Sequence, residues 1–480
     1  MRIESQQKLP ARRFSYSSQD TDAVRVSETT LDGLRSEDGK LSSEKVIIAN
    51  KDVIVWDDAV WGADDDPDYK VLPNSDGQFL FPKEHEKFTG AHSFAVATAT
   101  VNKYDEVYKE LTGKTIEWPF EGQHLEISPE SGEWGNAFYA RGYKGVQFFD
   151  FQGTSTGNSG EIVAHEVGHA ILDAVRPSYL SGTGAETGAF HEAFGDVLAM
   201  LVTLGDSVAV DRIVEQTGGD ISETANILSN VGEEFGNKLG RERGDGIRSS
   251  FNSFVYQDPA TLPEHGSKDQ LGSEWHDFSR LWSGAFYDVL DGIADEYRAE
   301  GMSQKQALIS AGEEGWRLLI GQMEYASRES ETTFKEMASA LIKGDARLNG
   351  GRRQVLLERV LSSRELHDSL EFGTKDLALP GRAENSEFTL DESFGLLAGV
   401  QVNTLLTPGP ESSSEGIRSE TLKGLRTMSE RDEILFVSER EPDLPEMFKP
   451  GGGHYKAYVR TEKNGDRFFH RVPLAVFSST

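Results

Sequence analysis

The chain has 480 residues, ample for a large core and more than one domain, and carries 80 acidic against 49 basic side chains for a net charge of −31. So negative a balance disfavours nucleic acid and anionic membranes as partners, and otherwise marks a well-solvated surface. Cysteine is absent, which excludes disulfides, thiolate metal ligands and a cysteine nucleophile.

In chain order, residues 1–45 are rich in Ser, Asp, Glu and Arg and read as a mostly disordered arm, or alternatively as an inhibitory or targeting tail. No apolar run there is long enough for a signal peptide. No window in the chain reaches the roughly eighteen apolar residues of a membrane span. The expectation is a soluble protein that is cytoplasmic, or secreted by a signal-independent route. From Val46 the texture changes to short apolar runs between charged turns, Val46-Ile47-Ile48-Ala49 and Val53-Ile54-Val55-Trp56, which is strand-like. The acidic stretch from Asp64 to Asp68 reads as a solvated turn. A helix over about 89–111 and several strands over 123–152 complete a β-rich lobe spanning residues 46–160.

The string Val163-Ala164-His165-Glu166-Val167-Gly168-His169-Ala170 follows. Asn158 with Glu161 three residues on suits a helix start, Val163, Val167, Ala170, Ile171 and Ala174 follow a 3.6-residue period, and Pro177 stops the pattern. On that helix His165 and His169 share one face, one turn apart, so two imidazoles reach one metal. A second helix, over about 188–204, sets Glu192 and Asp196 one turn apart. Glu192 can complete a two-histidine, one-carboxylate zinc site, and Asp196 can reach back to a ligand imidazole. Three protein ligands leave a fourth position for water, the arrangement of a catalytic zinc, which lowers the pKa of such water to about 7. Glu166 is too short to turn back as a ligand and is placed to take the proton of attacking water and deliver it to the departing amine. The bland reading is a satisfied helix face; the second motif at the right distance favours the site.

Further helices are expected over about 278–298, 303–324, 333–342 and 353–362, making 161–370 a helical lobe that meets the strand lobe at the zinc helix and leaves the site in a cleft. From Gly373 the texture returns to strand and loop, with a flexible stretch at 407–416 (Thr-Pro-Gly-Pro-Glu-Ser-Ser-Ser-Glu-Gly). Residues 371–480 form a carboxy-terminal extension without an assigned role.

Taken together, these motifs resemble the thermolysin family of zinc endopeptidases. Ala91-His92-Ser93-Phe94 with Tyr104 and Tyr108 is similar to its long amino-terminal helix, Trp134-Gly135-Asn136-Ala137-Phe138-Tyr139 to its substrate-binding edge strand, and Gly246-Ile247-Arg248-Ser249-Ser250 to its arginine loop. The likeness covers roughly residues 46–365 and implies an α+β, two-lobe metallopeptidase acting on polypeptide substrates with zinc as cofactor. It implies that Asn136 and Ala137 bind an extended substrate, that Arg248 holds a substrate carbonyl, and that His276 donates to the oxyanion with Tyr179 as second donor. Ile162 and Ile247 would wall the pocket for the residue after the cut, favouring apolar side chains there.

The sequence also departs from the family's pattern. His191 stands where Asn is usual before the third ligand, so it orients His169 or competes as a ligand. The acid expected before His276 is missing from its usual place, with Asp269 the nearest substitute. Glu161 suits the family's paired calcium site, but Thr203 occupies another acid's place. The Asn74-x-Asp76-x-Gln78 loop resembles a single calcium site, or equally a polar turn before Phe79. The family's signal peptide and folding prosegment are not seen. Two other functions stand beside the endopeptidase: an aminopeptidase on the same zinc triad, whose Gly-Ala-Met-Glu-Asn signature is absent, and an inactive, peptidase-like binding protein.

Overall fold

The computed structural model describes residues 7–20, 23–37, 40–56, 59–241, 246–367, 384–406, 421–426, 428–429, 434–437, 457–461 and 467–471. Its first part is built on a seven-stranded sheet in the order Gln7–Lys8, Arg35–Glu37, Lys40–Ser42, Val46–Ile48, Leu125–Ser128, Gly145–Phe148, Ala137–Ala140. The last of these is an edge strand, paired antiparallel with Gly145–Phe148.

Three of those strands come from the segment read as a disordered arm, and that reading is corrected for its described residues. A further hairpin, Arg12–Tyr16 with Ser27–Leu31, lies alongside. Composition hid this because few apolar residues do the work, each turned into the core. Phe14, Val24, Leu31, Leu34 and Leu41 are buried in the main core. The Phe14 ring stacks on Phe79 with centroids 4.6 Å apart, and the Ser15 and Phe79 N–H groups donate to Phe79 and Arg13 carbonyls. Truncating so enclosed a ring typically costs about 3–5 kcal/mol. Phe14→Ala is therefore expected to lower the unfolding free energy by that amount in a denaturant titration. A loss below about 1 kcal/mol would show the hairpin to be peripheral.

Helix α1 (Phe88–Thr112) crosses behind the sheet and packs on α2 (Gly160–Val175), which in turn packs on α3 (Ala185–Gly205). Ser159 caps α2, its Oγ accepting the Ile162 N–H at 3.4 Å. Asn158, the cap expected from sequence, instead accepts the Thr89 hydroxyl at 2.8 Å. Two glycines set the α2–α3 spacing, since a Cβ at Gly168 would lie 2.9 Å from the Gly195 Cα. Beyond α4 (Ser207–Thr217) and the short α5 (Glu233–Lys238), the long helices α6 (Trp275–Ala299), α7 (Gln304–Tyr325), α8 (Phe334–Leu348) and α9 (Gln354–Ser363) close the second part. Capping boxes at Ser303 and Thr333 start α7 and α8. No single helix among the described residues is long and apolar enough to cross a membrane.

After residue 383 a five-stranded sheet forms from Glu384–Thr389, Val400–Leu406, Arg467–Arg471, Ala457–Thr461 and Ile434–Val437, in that spatial order. It has its own apolar cluster around Leu397, Val400 and Leu425. It touches the segment ahead of α3, where the Thr183 hydroxyl donates to the Thr421 carbonyl at 3.1 Å. The 407–416 stretch read as flexible lies outside the described residues.

Candidate active site

Helical spacing puts His165, Glu166 and His169 on α2, all fully buried, with one donor atom from each within 4.8 Å of the others. The α3 residue Glu192 faces them, its Oε2 3.3 Å from His165 Nε2 and its Oε1 3.7 Å from His169 Nε2. Behind the pair, Asp196 Oδ1 lies 2.9 Å from His165 Nδ1. The bare Cα of Gly195 makes room for the His165 ring, whose Nδ1 would be 2.6 Å from a Cβ there.

These residues fit a metal. His165 Nε2, His169 Nε2 and both Glu192 oxygens are enclosed and make no hydrogen bond among the described residues. Buried polar atoms are rarely left so unless another partner serves them. Two imidazoles and one carboxylate are the donor set of a catalytic zinc.

Burial pushes the Glu166 carboxyl up to about 8, against the pull of His165 and with a further push from Glu192. A divalent cation held at this point would oppose that push and favour the Glu166 carboxylate. Burial pulls His165 down, but Asp196 and Glu192 outweigh it and hold it at about 9. His169 lies well below its ordinary value through burial and the neighbouring histidines. Asp196 stays below the carboxylate range in spite of burial, because Arg248 and His165 both favour its charge.

His276 lies at the start of α6, with Nε2 3.3 Å from Glu192 Oε2. Its Nδ1 is 2.9 Å from Glu274 Oε1, so the acid beside this ring is Glu274 and not Asp269. Asp269 is exposed and its N–H donates to Ser267. Sequence signalled Glu274 only as an acid just ahead of a helix, the place of a cap. Burial lowers the His276 pKa, but Glu192 and Glu274 prevail and raise it to about 9. Arg248 joins Asp196 through two bonds, Nη2 to Oδ1 at 2.7 Å and Nε to Oδ2 at 3.2 Å, and its Nη2 is 3.9 Å from Glu192. His191 sets its Nδ1 3.3 Å from His169 Nδ1, on the far side of that ring from the metal-facing nitrogen. It therefore meets His169 as a neighbour rather than as a competing ligand.

Tyr179 is a correction. Its hydroxyl donates its one hydrogen to the Ser327 carbonyl at 2.8 Å and is buried, so it is not a second oxyanion donor.

Asn136 is buried with Oδ1 accepting the Ala137 N–H at 2.9 Å, and Ala137 opens the edge strand. Ile162 and Ile247 meet around Gly232, where a Cβ would lie 3.0 Å from Ile247 Cγ1 and 3.9 Å from Ile162 Cδ1.

Calcium is not supported at the Asn74 loop, where the polar turn was the alternative. Asn74 Oδ1 accepts the Asp76 and Gln78 N–H groups, each at 3.0 Å, and Gln78 Oε1 accepts the Arg13 N–H at 2.8 Å. The loop oxygens thus close a polar turn and tie it to the amino-terminal hairpin. At the paired site, Gln19 Nε2 donates to Thr203 Oγ1 at 2.8 Å, and Glu161 accepts the Gly232 N–H. The amino-terminal segment supplies partners there that no local pattern announced.

No family model and no curated protein matches the chain. Among solved structures it is similar to the precursor of protealysin, a metalloproteinase from Serratia proteamaculans, at 15% sequence identity and a TM-score of 0.37, covering 68% of this chain and 88% of that one.

Proposed function

We propose that the chain is a zinc-dependent endopeptidase with its catalytic centre between α2 and α3. One observation carries this reading: His165, His169 and Glu192 turn buried, otherwise unserved donor atoms toward one another beside Glu166. A zinc ion held by those three residues would polarise the substrate carbonyl and bring the pKa of water near neutral.

The chain's own residues supply the rest. Glu166 takes the proton of the attacking water and passes it to the departing amine. His276 donates from Nε2 as negative charge develops on the carbonyl oxygen. Arg248, held by Asp196 with its Nη2 3.9 Å from Glu192, is assigned to a substrate carbonyl past the cut. An extended polypeptide adds to the edge strand Ala137–Ala140 as one more strand, so main-chain bonds give affinity and side-chain pockets give selectivity.

Ile162 and Ile247 support a preference for apolar residues after the cut, at about 1 kcal/mol per methylene buried. The test is digestion of an unfolded protein by the zinc-loaded chain, with and without a chelator, followed by mapping of the cut sites. Chelator-sensitive cuts ahead of Leu, Ile, Val and Phe are expected. Cuts dominated by charged residues at that position would remove the pocket assignment, and an inactive zinc-loaded chain would remove the peptidase.

A further inference from the structure

The helix that carries Glu192, α3, starts at Gly184, a cap with no side chain of its own. The acceptor comes from 147 residues further along the chain, where Glu331 is buried just ahead of α8. Its Oε1 accepts the Thr183 N–H at 2.6 Å, and its Oε2 accepts the Gly184 N–H and the Thr187 hydroxyl, each at 2.9 Å. The exchange is reciprocal. Glu186, in the first turn of α3, accepts the Phe334 N–H that opens α8 at 2.6 Å, and its other oxygen accepts the Tyr256 hydroxyl at 2.9 Å. An acid from the approach to each helix thus stands at the positive end of the other. The fit is close, since a Cβ at Gly184 would lie 2.8 Å from Glu331 Oε2 and one at Gly182 2.3 Å from the Ser330 carbonyl oxygen.

A third element enters this junction, the helix 421–426 of the carboxy-terminal extension. Thr421 is 1% exposed; its hydroxyl meets Glu331 Oε1 at 3.4 Å and its carbonyl accepts the Thr183 hydroxyl. Gly424, on the same face, lies flat against Thr183, where a Cβ would stand 2.5 Å from the Thr183 carbonyl oxygen and 2.8 Å from its Oγ1. Leu425 beside it belongs to the extension's own apolar cluster, so the helix is fixed to the extension on one side and to the α3 start on the other. We propose that the extension is a brace for the metal site: its 421–426 helix, seated on Thr183 and Glu331, holds the start of α3 and so fixes where Glu192, two turns further on, presents its carboxylate. Glu331 is the positioning residue through which it acts. The effect on zinc rests on the metal site proposed above; the seating of the extension does not.

Gly424→Ala attacks the seat and spares the helix, because alanine suits a helix interior better than glycine. In the full chain, hydrogen exchange at the Thr183 and Gly184 amides, which Glu331 holds, should become at least about tenfold faster. Zinc binding, read by chelator competition, should weaken about two- to thirtyfold, the size of coupling carried through packed elements. Glu331→Gln keeps the shape and loses the charge, and should weaken zinc at least as much. In that background Gly424→Ala should change zinc affinity less than about twofold, because the extension acts through the same carboxylate. With free zinc held at saturation, Gly424→Ala should recover the parent's turnover, which general damage to the fold would not allow.

Faster exchange with parental zinc affinity overturns the brace, and parental exchange overturns the seat itself. Where Gly424→Ala fails to fold, Thr421→Val removes only the hydroxyl that faces Glu331; it should show the same two changes in smaller measure, and parental values in both overturn the proposal. A parent that binds zinc and cleaves no peptide removes the peptidase reading alone, and the zinc titration still decides the brace. A parent that binds no zinc overturns both.

Discussion

Glu166→Gln is expected to bind zinc, fold normally and hydrolyse peptides about 10² to 10⁴ times more slowly than the parent. Glutamine keeps the shape of the side chain and one hydrogen-bonding oxygen, and loses the basic oxygen that accepts a proton. The site is packed closely enough for that distinction to be clean, since Glu166 is fully buried between the His165 and Glu192 side chains that act on its charge. The same residue serves water attack and amine departure in the proposed reaction, so the upper end of the range applies. Turnover of one quenched peptide, with metal content measured in each sample, is the check. Near-parental turnover by zinc-loaded Glu166→Gln would eliminate Glu166 as the base.

Gly195→Ala is expected to weaken zinc binding about 100-fold or more, although residue 195 carries no ligand. A Cβ there would lie 2.6 Å from His165 Nδ1, 2.8 Å from Cε1 and 2.9 Å from Cγ, closer than real Cβ atoms stand, so the ring must move. Movement breaks its 2.9 Å contact with Asp196 and turns Nε2 away from Glu192. Loss of such a supporting contact alone typically costs 10–100-fold in metal affinity, and here the ligand itself is displaced. The two helices are already at close approach there, since a Cβ at Gly168 would lie 2.9 Å from the Gly195 Cα. Overpacking should add about 1–3 kcal/mol of destabilisation. Gly205, at the end of the same helix with nothing within 4 Å of its Cβ position, is the control, and Gly205→Ala should change neither quantity. Chelator competition and thermal unfolding on the three proteins measure both effects. Parental zinc affinity in Gly195→Ala would show that the ring is not held by that close approach.

Both predictions draw on what local spacing writes into the chain. His165 and His169, and Glu192 and Asp196, are each four residues apart, and the α-helix alone turns that spacing into a shared face. Those residues were therefore legible, as were the bodies of α1, α2, α3 and α6, whose apolar periodicity is also local. The cap at Ser159 in place of Asn158 is a one-residue slip of the kind expected where the competing partner, Thr89, comes from another helix.

Tertiary structure decided what depends on atoms brought from far along the chain. The Tyr179 hydroxyl is spent on Ser327, roughly 150 residues away, which no motif around Tyr179 records. The amino-terminal strands looked disordered by composition because disorder is judged on average polarity, whereas their order comes from Phe14 finding Phe79 and Phe94. Gln19 reaching Thr203 is a through-space pairing of the same kind. Glu274 was overlooked for a different reason, since it stands only two residues before His276 and reads as a mere cap. The sequence by itself determined which side chains share a helix face at the metal site. Only the packing of α6 against α3 brings His276 to Glu192, and only that of α2 against α3 decided which glycine makes room for His165, because orientation and clearance are properties of neighbouring surfaces and not of spacing along one chain.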